Sequence, residues 1–126
     1  MIQLAVNGTL MRGLELNANL IKVNGAFIRE AKTAAQYRLW SIGDRHPAML
    51  RVADGGGAIA LEIWGIPSEG ICQVLLQEPP GLSIGKVLLE DGEIVLGVLG
   101  EPFLCENQLD ITAWGGWRAY TGQLLE

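Results

Sequence analysis

Glycine leaves this chain no room for long regular elements. Seventeen glycines in 126 residues divide its apolar sequence into short runs, because a glycine inside a helix or strand costs about 0.5–1 kcal/mol relative to alanine. What remains must fold as short strands and short helices joined by tight turns. "IQLAV" at positions 2–6 reads as a first strand. "AFIREAKT" (26–33) and "AQYRLWSIG" (35–43) alternate apolar with polar residues, which predicts two half-buried strands paired antiparallel across their short link. In "GGGAIALEIWGIP" the glycines at 55–57 make a loop, and Ala58 to Trp64 a mostly buried strand.

Helical signals are fewer. "LELNANLIKVN" places Leu14, Leu16, Leu20 and Ile21 on one side of a short helix that Gly25 stops. Pro67, Ser68 and Glu69 are start signals for a second helix, which Pro79 and Pro80 close. Beyond it, "SIGKVLLEDGEIVLGVLGEP" reads as two strands around Asp91-Gly92, a dipeptide suited to a type I′ hairpin turn. Near the end, Asp110 is a candidate N-cap for a short helix or turn carrying Trp114, Trp117 and Tyr120, weakened by Gly115-Gly116. There is no βαβ alternation and no repeat. The pattern predicts a single α+β domain over residues 1–126, a small, strongly curved, mostly antiparallel β-barrel with short flanking helices.

Composition narrows the function. Hydrophobic residues make up 49% and charged residues 18% of the chain, values of an ordinary folded domain that buries a core without staples. The net charge is −5, and the nine Lys and Arg form no basic stripe, which argues against phosphate-tracking nucleic-acid binding. The start lacks a basic, then apolar leader, and no apolar stretch is long enough to cross a bilayer, so a cytoplasmic protein without membrane contact is expected. Two cysteines without CxxC spacing and a single histidine cannot supply a zinc site. No metal or cofactor is expected; Cys72 and Cys105 read as buried free thiols, and His46 as a loop residue before a proline.

The loop after the first strand, "NGTLMRG", is the main candidate site. It lacks the lysine of a P-loop and the third glycine of a dinucleotide fingerprint. Two readings stay open: a turn that merely ends a strand, or a concavity in which Gly8 admits a ligand to consecutive N–H groups. Glu78 in "LLQEPPG" likewise reads either as a solvated carboxylate at a helix end or as a desolvated acid–base group. Arg118, between aromatic residues, could present its guanidinium to a carboxylate ligand or pair with an acid such as Asp110. Trp114, Trp117 and Tyr120 fit a core plug better than a ligand platform.

"NGTLMRG" is similar to the first-strand loop of the γ-glutamylcyclotransferase-like superfamily. The segments "YRLW", "GGGAIALEIWGIP", "PPGLSIGKVLLEDG" and "DITAWGGWRAY" resemble the C-terminal domain of allophanate hydrolases nearly end to end. This resemblance implies a cyclotransferase-like barrel with a pocket at its mouth, where Asn7, Gly8, Thr9 and Leu10 bind a small amide or carboxylate and Glu78 serves as general acid and base. Asn7 stands where cyclotransferases usually have tyrosine, Pro79 follows Glu78 in place of glycine, and Thr9 replaces the histidine to which a decarboxylation step is attributed in fused allophanate hydrolases. The amidase domain of those enzymes has no counterpart in the chain. The resemblance therefore implies a stand-alone small-ligand domain, accessory to a separate amidase and open to self-association. Its alternative is a small enzyme with cyclotransferase-like or carbamoyl-acid decarboxylase-like activity through Glu78.

Overall fold

The first strand, β1 (Ile2–Val6), lies at the centre of a five-stranded sheet in a computed structural model that describes residues 1–123. The chain continues through a looped segment to α1 (Ala18–Lys22), then β2 (Ala26–Lys32), β3 (Tyr37–Ile42), β4 (His46–Arg51) and β5 (Ala60–Ile66). After these come α2 (Ser68–Gln77), β6 (Leu82–Leu88), β7 (Ile94–Gly100), α3 (Pro102–Cys105) and β8 (Leu109–Asp110). A 3-10 turn at Thr112–Trp114 and α4 (Trp117–Thr121) complete the described chain. The large sheet has the order β2-β5-β1-β7-β6, and a small one the order β4-β3-β8. All strand pairs are antiparallel except β1 with β7. The architecture is α+β, mostly strand with short helices, as the glycine spacing requires.

The expected barrel is not closed. β2 and β6 remain the edges of the large sheet, and they meet only at a single bridge between Thr33 and Leu89. Ala34 N–H on Leu88 O and Glu90 N–H on Lys32 O, both 3.0 Å, flank that bridge. A bulge between Phe27 and Arg29 twists β2 away from a continuous ladder, the usual behaviour of a bulged edge strand.

The pairing predicted between β2 and β3 is also overturned. β2 pairs with β5, and β3 with β4 and β8. Thr33 explains the divergence: its N–H donates to Ile59 O at 3.0 Å and its hydroxyl accepts Ile59 N–H at 2.9 Å. These bonds hold the end of β2 on the neighbouring segment, and the chain then leaves for the second sheet. β4 includes His46, so this residue opens a strand instead of lying in a loop.

Both hairpin turns depend on positive φ, though not where the sequence suggested. Gly43 and Asp44 have φ of 58° and 59°, and Arg45 N–H closes on Ile42 O at 3.1 Å, which are the marks of a type I′ turn between β3 and β4. The β6–β7 hairpin forms as predicted, but only Gly92 has positive φ there (89°) and Gly92 N–H bonds to Leu89 O. That turn is a three-residue loop with glycine in the left-handed position, a common alternative to type I′.

The core lies between the sheets and under the helices. Leu4, Val6, Leu20, Leu39, Ile63 and Ile66 are fully buried. Tyr37, equally buried, accepts Leu88 N–H on its hydroxyl at 2.9 Å, so its polar end is satisfied at the β6 edge. Trp117 packs in the core, whereas Trp114 is 57% exposed and departs from the expected plug. Cys105 is buried as read, but Cys72 is exposed on α2. Asp110 ends β8, and its Oδ1 accepts Thr112 N–H at 2.9 Å without capping a helix.

Candidate functional site

The loop after β1 is shaped by a close approach. A Cβ on Gly8 would stand 2.4 Å from Pro47 Cδ, inside a ring that cannot swing aside. Glycine here lets the loop lie against β4. Gly8→Ala is expected to cost about 1–3 kcal/mol, the range for overpacking, and to shift the amide resonances of residues 8–10; a wild-type melting curve would show that Pro47 yields. Asn7 is 4% exposed, and its Nδ2 donates to Val98 O at 3.0 Å, which anchors the loop to β7. Met11 N–H returns to Gly8 O at 3.0 Å and Leu16 N–H to Thr9 O at 2.9 Å. Among the described residues, the N–H groups of Gly8, Thr9 and Leu10 have no acceptor.

Glu78 reaches the same place from α2. Pro79 disfavours the helical conformation for the residue before it, and Glu78 is extended at φ −71°, ψ 150°. Its carboxyl joins Asn7, Gly8, Thr9, Leu10, His46 and Pro47 around a narrow cavity with about 10 Å³ open to the centre of a water molecule, space for one such centre. Glu78 Oε1 is wholly buried without a protein partner. Desolvation pushes the Glu78 pKa from 4.5 up to about 7, because burial disfavours the charged form. The first-strand loop and Glu78 therefore line one cavity.

Wider spaces adjoin this cavity. One of about 420 Å³ is lined by Thr9, Glu15, Arg45, His46, Pro79 and Pro80 among others, and a second of about 470 Å³ by Thr9, Glu15, Asp44, Arg45 and Trp117 among others. Thr9 and His46 are common to the narrow cavity and the 420 Å³ space. His46 Nδ1 lies 3.1 Å from Pro47 O. Arg45 and His46 were not singled out as site residues, because their approach depends on a β3–β4 hairpin with no Asn-Gly or Asp-Gly signal.

Arg118 does not join the pocket. Its Nη2 donates to Glu62 Oε2 at 3.0 Å and to Arg12 O at 2.7 Å. Asp110, its anticipated alternative partner, pairs with Arg38 at 2.8 Å. Glu62, only 2% exposed, also accepts Arg12 N–H (2.9 Å), Arg12 Nε (3.2 Å) and Trp64 Nε1 (3.1 Å). Burial opposes ionisation of Glu62, but these donors outweigh it and hold its pKa below 4.5. The network clasps the end of the Gly8 loop to β5 and α4. Its signal in the sequence was a lone acid inside the apolar run "LEIWG", a residue type that enters a core only when paired. Among the described residues no three His, Cys, Asp or Glu are grouped to hold a metal ion, and no helix is long and apolar enough to cross a membrane.

The model of the allophanate hydrolase C-terminal domain matches residues 2–122. The chain belongs to that family. This allophanate hydrolase C-terminal domain is 35% identical to the urea amidolyase of Saccharomyces cerevisiae over 94% of its own length. It superposes with a TM-score of 0.90 on allophanate hydrolase from Kluyveromyces lactis, at 33% identity over 98% of its length. The domain spans 7% of the yeast enzyme and 21% of the Kluyveromyces chain. A crystal structure of a uropathogenic E. coli-specific protein matches it at 56% identity and a TM-score of 0.97, covering 98% of both chains. An AIG2-like protein from Mus musculus, 20% identical with a TM-score of 0.60 over 80% of this chain and 76% of its own, shares the fold, which is γ-glutamylcyclotransferase-like.

Proposed function

We propose that this domain binds a small carboxylate or amide at the narrow cavity, with Glu78 as the group that exchanges a proton with it. The observation that carries this reading is the pairing of a desolvated, partnerless Glu78 carboxyl with an N–H-rich loop around one water-sized space. Below about pH 7 the carboxyl is protonated and can donate to one ligand oxygen, while the loop N–H groups donate to another. A pKa near neutrality also suits a group that takes a proton and returns it, and general acid–base help of this kind is typically worth 10²–10⁴-fold in rate. On a γ-glutamyl amide, Glu78 would accept the proton of the attacking amine and deliver it to the leaving nitrogen. The site residues of this reading are Glu78 with Asn7, Gly8, Thr9 and Leu10; Arg118 serves as a clasp outside it.

The place of this domain within far longer urea amidolyase and allophanate hydrolase chains favours a second reading, in which the domain binds its ligand as an accessory to an amidase. Crystals soaked with malonate, glutamine, γ-glutamyl-alanine and allophanate distinguish the outcomes. The expected result is a ligand oxygen on the Gly8–Leu10 amides within hydrogen-bond reach of Glu78. Turnover of a bound compound that is lost in Glu78→Gln supports the acid–base role, and binding without turnover supports the accessory role. A cavity left empty by every compound overturns both.

A further inference from the structure

We propose that Asn17 is a positioning residue for this site: its side-chain amide holds the Leu10 carbonyl and thereby keeps the Thr9 N–H turned toward the narrow cavity. This inference rests on the reading of that cavity as a ligand site. The peptides of the loop are trans, so each carbonyl and the N–H that follows it point in opposite directions. Whatever holds a carbonyl of this loop therefore aims the next N–H.

All three carbonyls concerned are held. Gly8 O accepts Met11 N–H at 3.0 Å, Thr9 O accepts Leu16 N–H at 2.9 Å, and Leu10 O accepts an Asn17 Nδ2 proton at 2.8 Å. The bonds from Asn17 form a relay. Asn17 fixes the peptide between Leu10 and Met11, and the N–H of that peptide, on Met11, fixes the peptide between Gly8 and Thr9. The N–H of this last peptide, on Thr9, has no acceptor among the described residues. Leu10 N–H is aimed separately, through the bond from Leu16. Thr9 and Leu10 both border the cavity with Glu78.

The helix that Asn17 opens does not account for its side chain. Asn17 is the N-cap of α1, where asparagine usually accepts an N–H of the first turn through its side-chain oxygen. No such bond forms here, and the half-buried side chain reaches back to the carbonyl of a residue seven positions earlier. That carbonyl needs a donor, which asparagine carries and ionised aspartate lacks, although the two serve equally well as N-caps.

The test titrates formate, the smallest carboxylate, into the isotope-labelled chain at about pH 6, below the raised pKa of Glu78, where its carboxyl is neutral. Shifts of the Gly8, Thr9 and Leu10 amides read binding, and hydrogen exchange of the Met11 and Leu16 amides reads the loop. Asn17→Ala is expected to bind formate about tenfold more weakly than wild type, the lower end of what one hydrogen bond to a charged group yields. Its Met11 amide should exchange faster while the Leu16 amide keeps its protection. Asn17→Asp, which keeps the shape without the donor, should release the Met11 amide equally, and it carries the test if the alanine variant does not fold. Wild-type formate affinity in Asn17→Ala overturns the proposal, as does an Asn17→Asp protein whose Met11 amide stays protected. Equal loss of protection at Met11 and Leu16 also overturns it, by showing that Asn17 merely supports the loop as a whole. If formate leaves the wild-type loop amides unmoved, the ligand site itself is overturned along with this inference.

Discussion

Replacing Glu78 with glutamine is expected to remove a loss of stability that the wild-type protein suffers as pH rises from about 5 to about 8. The folded-state pKa of Glu78 is raised from 4.5 to about 7, so between those values the native state binds more protons than the unfolded chain. Stability then falls with rising pH across that window. A shift of this size corresponds to roughly 3 kcal/mol, and partial access of the side chain to solvent reduces the expected effect to about 2 kcal/mol. Urea denaturation of both proteins at the two ends of the window measures the difference. All other titrating groups are shared, so the comparison isolates Glu78. Parallel pH profiles for the two proteins would mean that this carboxyl is solvated, and the acid–base reading would go with it.

The largest loss is expected from Glu62→Ala. Removing this carboxylate strips the acid from Arg118 and an acceptor from the Trp64 indole, and breaking a buried ion pair from one side typically costs about 3–5 kcal/mol. Arg118 keeps its bonds to Arg12 O and Gln123 O, which places the expected value near about 3 kcal/mol. Glu62→Gln retains an acceptor oxygen and should lose less. The pH dependence has the opposite sign to that of Glu78. Because the folded-state pKa of Glu62 is lowered from 4.5, its contribution is complete above that value and is lost as pH falls through the folded pKa. Denaturation curves at neutral and acid pH check both statements, and a Glu62→Ala protein as stable as wild type would show that the clasp contributes nothing. Together the two glutamates contribute most near pH 4.5, where the Glu62 contribution is almost complete and the loss from Glu78 is only beginning.

These two residues also show where reading the sequence stops. Glu78 was legible because Pro79 and Pro80 mark a helix end, and a proline acts on residues within one helical turn of it. Its burial was not legible, since that depends on a loop 70 residues earlier in the chain coming to rest beside it. Glu62 stood out only as a charge in an apolar run. Its partners Arg12 and Arg118 lie 50 and 56 residues away, and sequence spacing carries no information about such distances.

The same division runs through the fold. Sequence by itself determined the short elements: the first strand, the helix from Ser68, and the hairpin around Asp91-Gly92, all set by interactions within a few residues. It also determined family membership, through motifs spread along nearly the whole chain. Tertiary structure decided the pairing of β2 with β5, because the bonds of Thr33 to Ile59 outweigh the short link to β3. It decided that β4 exists, despite a proline at its second position, through a turn at Gly43-Asp44 whose two positive φ angles are stabilised by the strands they join. And it decided that the Gly8 loop and Glu78 share one cavity while Arg118 turns away to Glu62. Turn chemistry and periodicity act over one or two turns of chain, whereas strand partnership and desolvation are properties of the packed molecule.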